Sequence, residues 1–381
     1  MKKKKRIIVF TIIFSLSIAI FIGYAFIKQQ FPFLIEIQFS DYVQKEGPFY
    51  TLYYDSSDVD KANKLIDTTD NIRKYADIWF GEIGSTDRKL KIFLIHGKDQ
   101  PHPGLKEADG SYLPEHHLMF LDSNFEEDLL INIFSHELAH YFTGEYLRKL
   151  DMEFYSIPTW YHEGIADAFA FRIKPLPFFR DGTRAEIRPL MDIPQENSSR
   201  GFYLLSHFAL ENLFSKNGES IITEILKKTK EMNDFSDAFN LLTGCDLANY
   251  HLLFEVKTEQ IREILVKIDT LGENEAEKLI RDFMNTKGRY FNEATSLLYA
   301  LSSVYIKQER FAEALTTYEE VLLYEESPAI YSVVSEIALQ VDQQKAVEYA
   351  IKAVELAKDE NWNVEVFNEQ LESVKNQINE S

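Results

Sequence analysis

One cysteine, Cys245, in 381 residues leaves no internal disulfide framework, so the chain must be held without one. Basic residues are in deficit. Against 61 Asp and Glu stand 41 Lys and Arg, and the net charge of −20 argues against nucleic acid or anionic lipid as a partner. Glycine is scarce, 15 in all, and none follows Gly288. Long uncharged runs are scarce as well, and the one at the N-terminus carries the first positive signal.

Met1-Lys2-Lys3-Lys4-Lys5-Arg6 precedes an uncharged stretch from Ile7 to Ile27, which as a helix spans about 30 Å, the thickness of a bilayer's hydrocarbon core. No small-residue cleavage site of the A-x-A kind closes the run, so a retained signal anchor is expected. No cysteine follows it, which removes a lipidated anchor. The basic residues before it predict an N-terminus in the cytoplasm and translocation of the rest. A single-pass cell-membrane protein of a bacterium, its main body extracellular, fits this pattern. Residues 28–47 read as a linker, and the 45% hydrophobic content supplies enough apolar side chain for two further domains.

The stretch His136-Glu137-Leu138-Ala139-His140 is the most informative in the chain. Residues four apart share a helix face, so His136 and His140 can point their ring nitrogens at one tetrahedral zinc ion. Glu137 then sits beside the ion, placed to take a proton from an attacking water and hand it to a leaving amine. Glu126, Glu127 and Asp128 suit the start of that helix, and Gly144 is expected to stop it. A third ligand is offered by Glu163, in a second helix that opens near Pro158. Gly164 beside it permits close helix packing. Asp167, one turn on, is placed to accept the free ring N–H of a ligating histidine.

These residues resemble the gluzincin metallopeptidases, and among them the peptidase MA-like family. The resemblance lies in His136-Glu137-x-x-His140, in Trp160-x-x-Glu163-Gly164-x-Ala166, and in a later apolar helix from Tyr203 through Ser206 and Phe208 to Leu213. It spans roughly residues 48 to 255. Implied by it are one zinc ion per chain on His136, His140 and Glu163, Glu137 as general base, and hydrolysis of peptide bonds. The resemblance also suggests Tyr203 as the group that stabilises a developing oxyanion, with His207 in reserve. Gluzincin aminopeptidases carry a Gly-x-Met-Glu-Asn motif on the edge strand before the active helix. Here that stretch is Glu115-His116-His117-Leu118-Met119-Phe120-Leu121-Asp122, so an endopeptidase is expected instead.

The expected fold class is α+β: a gluzincin-like two-lobed domain with a small mixed sheet over 48–262, then an all-α domain of helical hairpins over 263–381. Strands are predicted at Phe49–Tyr54, Leu90–Ile95 and 116–121, an amphipathic helix at Val59–Phe80, a loop over 97–114 and an exposed crossover over 174–200. Adjacent strand residues face opposite ways, so at most one of His116 and His117 faces a cleft, while His96 and His102 lack a partner at ligand spacing and read as solvated. In the C-terminal part, Leu298, Leu301, Tyr305, Ala314, Tyr318 and Val321, followed by Pro328, fall at spacings similar to the tetratricopeptide repeat, with a weaker copy at Ala346, Ala350 and Ala353. A generic helical bundle is the alternative. Either surface suits a protein partner.

Two functions are therefore open. One is an anchored zinc peptidase acting on exported or surface proteins. The other is a non-catalytic anchored binding module with a structural zinc site. Two His and one Glu leave a fourth coordination position for water, which favours the first.

Overall fold

The computed structural model describes residues 35, 38–81, 89–96, 109–177, 183–191, 199–254, 258–268, 270–287, 291, 293–359 and 362–380. The membrane helix expected over 7–27 lies outside these. Among the described residues no helix is long and apolar enough to cross a membrane. The protein is of mixed α+β class, mostly helical with one small five-stranded sheet.

The strands are β1 (Val43–Glu46), β2 (Tyr50–Tyr54), β3 (Leu90–Ile95), β4 (Gly110–Leu113) and β5 (Leu118–Asp122), in the spatial order β1-β2-β3-β5-β4. The inner strands β2, β3 and β5 run parallel, with β1 and β4 antiparallel at the two edges. Both faces of the sheet are covered, which is why Tyr50-Thr51-Leu52-Tyr53-Tyr54 is buried at every position and shows no polar alternation. Leu90, Ile92 and Leu94 face the helices, whereas Phe93 and Ile95 face a second cluster with Tyr53, Leu118, Phe120, Ile35 and Phe39.

Two expectations about the strands are corrected here. Residues 110–113, expected in a loop, form β4, and this is the edge strand; β5, expected at the edge, is internal. His116 and His117 belong to the turn joining β4 to β5, where His117 has φ of 53°, so strand alternation does not govern them. The sequence there offers a Pro-Glu-His-His turn and no glycine, hence no hairpin signal to read. Residues 43–46, read as linker, supply β1.

Against the sheet lie α1 (Val59–Phe80) and α2 (Glu127–Lys149). A turn of 3-10 helix, Ser56–Asp58, leads into α1, capped by Asp55 Oδ1 accepting from the Ser57 N–H at 2.8 Å. Acidic Glu127 and Asp128 in the first turn of α2 and basic Arg148 and Lys149 in the last complement the helix dipole. Gly144, expected to stop α2, lies inside it. A Cβ there would stand 3.1 Å from Phe154 Cδ2, so the glycine admits a neighbouring ring and leaves the helix unbroken.

Three helices complete the surroundings of α2: α3 (Thr159–Ile173), α4 (Arg200–Asn217) and, after Gly218, α5 (Ile221–Met232). Arg172 of α3 ties α3 to α4, to α1 and to the link that leads into α5. Its guanidinium pairs with Glu211 of α4 and with Glu219 at 2.6 Å, and lies over the rings of Trp79 and Phe214. Trp79 of α1 donates its indole N–H to the same Glu219 at 2.9 Å.

Beyond α6 (Phe235–Thr243), α7 (Thr258–Ile268) and α8 (Glu273–Lys287), the chain forms helical hairpins from α9 (Ala294–Lys307) with α10 (Phe311–Val321), and α11 (Pro328–Ala338) with α12 (Gln343–Asp359), ending in α13 (Val364–Glu380). Ser302 Oγ donates to the Ala314 carbonyl at 3.3 Å, and one hairpin later Ser335 Oγ donates to the Ala346 carbonyl at 2.7 Å. A buried hydroxyl thus stands at each close crossing, and the same contact recurs. One hydrophobic cluster runs from Phe49 through these hairpins to Val374.

Candidate metal centre

Two helices that pack side by side, α2 and α3, build the site. Gly164 sets how α4 joins them: a Cβ there would fall 2.7 Å from the Ser206 carbonyl oxygen, so α4 approaches α3 at backbone contact. That approach brings the ring of Tyr203 to 6.3 Å from the ring of His136.

His136 Nε2 and His140 Nε2 lie 3.1 Å apart, and Glu163 Oε2 lies 3.3 Å from the first and 3.4 Å from the second. A tetrahedral ion with bonds of about 2.0–2.1 Å has donor-to-donor edges of about 3.3 Å, so the triangle fits zinc. Glu163 Oε2 is buried without a hydrogen-bond partner among the described residues. Two imidazole nitrogens and an unpartnered carboxylate oxygen converging on one point is an arrangement that a cation satisfies. Among the described residues this is the one group of three or more His, Cys, Asp or Glu side chains arranged to hold a metal ion.

The neighbours prepare these donors. His136 Nδ1–H donates to Asp167 Oδ1 at 2.8 Å, which turns the Nε2 lone pair toward the cluster. Burial opposes charge on His136, but the Asp167 and Glu163 carboxylates overcome it and push the imidazole well up. Burial would raise Glu163, and His140 and His136 beside it instead hold the carboxyl well below its ordinary range.

Glu137 is 7% exposed and lies against β4 at Gly110. Burial raises its carboxyl, the two histidines pull it back, and the backbone N–H of Tyr112 donates to it. The edge strand reaches Glu137 because residue 110 is glycine: a Cβ there would lie 2.6 Å from Ile133 Cγ2 and 3.0 Å from Glu137 Cγ. His162 is a neighbour that spacing did not single out. It is buried, donates Nε2–H to the Phe154 carbonyl at 2.7 Å and stacks on the Phe154 ring, closing the α2–α3 loop beside His140. Its position next to Glu163 was the one available signal.

His207 lies 2% exposed against Phe171 and Phe208, and burial pushes its imidazole down to about 4. His117 Nε2 lies 3.9 Å from the buried Glu145 of α2, which Arg148 also holds at 2.7 Å. Described parts of the stretch expected as an exposed crossover pack on the start of α4, where the Glu186 N–H donates to the Gly201 carbonyl at 2.9 Å.

No family model matches the chain. An uncharacterized protein of Bacillus subtilis, YhcO, is 25% identical to it over 240 residues, which cover 55% of this chain and 69% of that protein. Among solved structures, native yeast LTA4 hydrolase aligns with 87% of this chain at 11% identity and a TM-score of 0.35. The chain spans 66% of that enzyme's length, and the likeness is too slight to define a shared fold. What the centre can do therefore rests on its own side chains: three donors for one ion, a buried carboxylate beside them, and a phenol ring across the gap.

Proposed function

We propose that this protein is a zinc metallopeptidase of gluzincin type, held at the cell membrane by residues 7–27 and hydrolysing peptide bonds of exported or surface proteins. The observation that carries this reading is the donor triangle of His136, His140 and Glu163, with edges of 3.1, 3.3 and 3.4 Å and Glu137 beside it. When bound, zinc would supply the Lewis acid that polarises a carbonyl and makes water a nucleophile near neutral pH. Glu137 takes the proton of the attacking water and delivers it to the leaving nitrogen; its raised pKa, caused by burial, suits a group that must both accept and release. Tyr203 offers its hydroxyl to the oxyanion. β4, at the edge of the sheet, would give an extended peptide a strand to pair with beside Glu137. Endopeptidase action is favoured by the lack of an acidic motif for a substrate amino terminus. The C-terminal hairpins would hold a protein substrate or partner.

The test uses the full chain purified in detergent and dialysed, with zinc measured by elemental analysis and cleavage measured on unfolded casein. About one tightly held zinc per chain is expected, lost in His136→Ala and Glu163→Ala. Glu137→Gln should keep the zinc and abolish cleavage. Bound zinc without cleavage in the wild type would favour the binding-module reading with a structural ion. A folded wild type that retains no zinc would overturn both.

A further inference from the structure

At the C-terminal ends of β3 and β5, beneath the first turn of α1, a second polar cluster stands apart from the metal centre. Its logic runs through four side chains. Asp122 Oδ1 accepts from the Asn124 side-chain Nδ2 at 2.8 Å, which fixes the orientation of that amide and leaves Asn124 Oδ1 facing His96 Nδ1 at 3.3 Å. A carbonyl oxygen can only accept, so His96 carries its proton on Nδ1, where Ser123 Oγ also lies at 3.0 Å. In the neutral imidazole the other nitrogen, Nε2, then presents a lone pair to Asp58 Oδ2 across 3.9 Å.

That oxygen is itself incomplete. Asp58 is 7% exposed, and its Oδ2 has no hydrogen-bond partner among the described residues. The nearby ammonium of Lys61 is spent on the Ser123 carbonyl. A buried carboxylate oxygen and an imidazole lone pair facing one another, too far apart for a hydrogen bond, are two acceptors that no donor among the described residues bridges. A cation resolves both. At a tetrahedral angle two bonds of about 2.1 Å span about 3.4 Å, so one metal ion binds both donors once they close by about half an ångström. The half-exposed His96 leaves the remaining coordination positions open to water.

We propose that Asp58 and His96 form a second cation site, distinct from the His136–His140–Glu163 centre, that takes a divalent 3d metal ion such as zinc. Imidazole suits such ions where all-oxygen sites suit calcium and magnesium. The hydrogen bond from His96 Nδ1 to Asn124 supplies the orientation that ligating histidines usually receive from a neighbouring acceptor. Two protein donors make the site weaker than the three-donor centre. Occupancy ties the start of α1 to the end of β3, so it should raise the temperature of unfolding.

Zinc chloride is titrated calorimetrically into the full chain in detergent, already carrying its tightly bound zinc and dialysed. One further equivalent is expected in the wild type. It should disappear in His96→Ala and in Asp58→Asn, with the tightly held zinc unchanged, and persist in Glu163→Ala, where the tight site is lost. Asn124→Ala, which frees the ring without removing a donor, should weaken it by roughly 10-fold or more. No further equivalent in the wild type would overturn the proposal, as would one that survives both His96→Ala and Asp58→Asn. Failure of the tight site alone leaves this one standing, so the two readings fail separately.

Discussion

His136 donates its Nδ1–H to Asp167 Oδ1 across 2.8 Å, while its Nε2 lies 3.3 Å from Glu163 Oε2. One carboxylate sets the tautomer that another carboxylate's metal site requires, and both belong to α3, one turn apart. Removing the acceptor should therefore cost metal affinity without unfolding the helix pair. Asp167→Ala is expected to bind zinc roughly 10–100-fold more weakly, and Asp167→Asn, which keeps an acceptor oxygen, to recover part of the loss. Competition with a chromophoric chelator measures this. An alanine variant that binds as tightly as wild type would remove Asp167 from the centre.

Gly110 is where the edge strand touches the proposed base. A methyl group there would meet Ile133 Cγ2 at 2.6 Å and Glu137 Cγ at 3.0 Å, so either β4 lifts or Glu137 turns. Both movements disturb the Tyr112 N–H that donates to Glu137. Gly110→Ala should keep its zinc and lose at least about 10-fold in the rate of casein cleavage, a change of about 1.4 kcal/mol in barrier. Unchanged turnover would show that the approach of β4 does not position the carboxylate.

How much of this was legible in the sequence depended on whether the signal was local. The convergence of His136, His140 and Glu163 was legible because helix spacing alone puts the first two on one face and because Glu163 follows in a helix with its own cues. The helix Val59–Phe80 and the strand Leu90–Ile95 were read to the residue, since periodicity and flanking polar residues mark both. The strand Gly110–Leu113 was missed for the opposite reason: it is short, half-buried along its length, and owes its conformation to pairing with β5. Gly144 misled because a helical glycine reads as a stop until the ring it accommodates, Phe154, is seen. Asp58 and His96 were invisible as a pair, being far apart in sequence and brought together by strand order.

Arg172 joins three helices around the centre, so its loss should act on stability first. It is 19% exposed, pairs with Glu211 and Glu219, and packs its guanidinium on Trp79 and Phe214. Arg172→Met preserves bulk but leaves the buried Glu211, 5% exposed, without its counter-charge. A cost of about 3–5 kcal/mol in unfolding free energy is expected. The double variant with Glu211→Gln should recover part of it, because the stranded charge is then gone. Urea titrations of the two variants would detect the difference; equal stabilities would mean that the pair is solvated and the packing alone matters.

The buried histidines His162 and His207 predict how stability changes with pH. Burial holds each down to about 4, against an ordinary value of about 6.5 in the unfolded chain. A base whose folded pKa is depressed binds protons more readily when unfolded, so its contribution is fully present above about pH 6.5 and is lost as the pH falls toward 4. At 1.36 kcal/mol per unit, each stands to remove about 3 kcal/mol across that window. The urea midpoint of metal-free protein should therefore fall steadily from pH 7 to pH 4.5. Using metal-free protein matters, because protons also compete with zinc for His136 and His140 over the same range. His207→Gln cannot acquire the charge, and should flatten the profile by about half. A midpoint in the wild type that holds constant from pH 7 to pH 4.5 would mean that neither imidazole pays a burial penalty on protonation, and that water reaches both rings in solution.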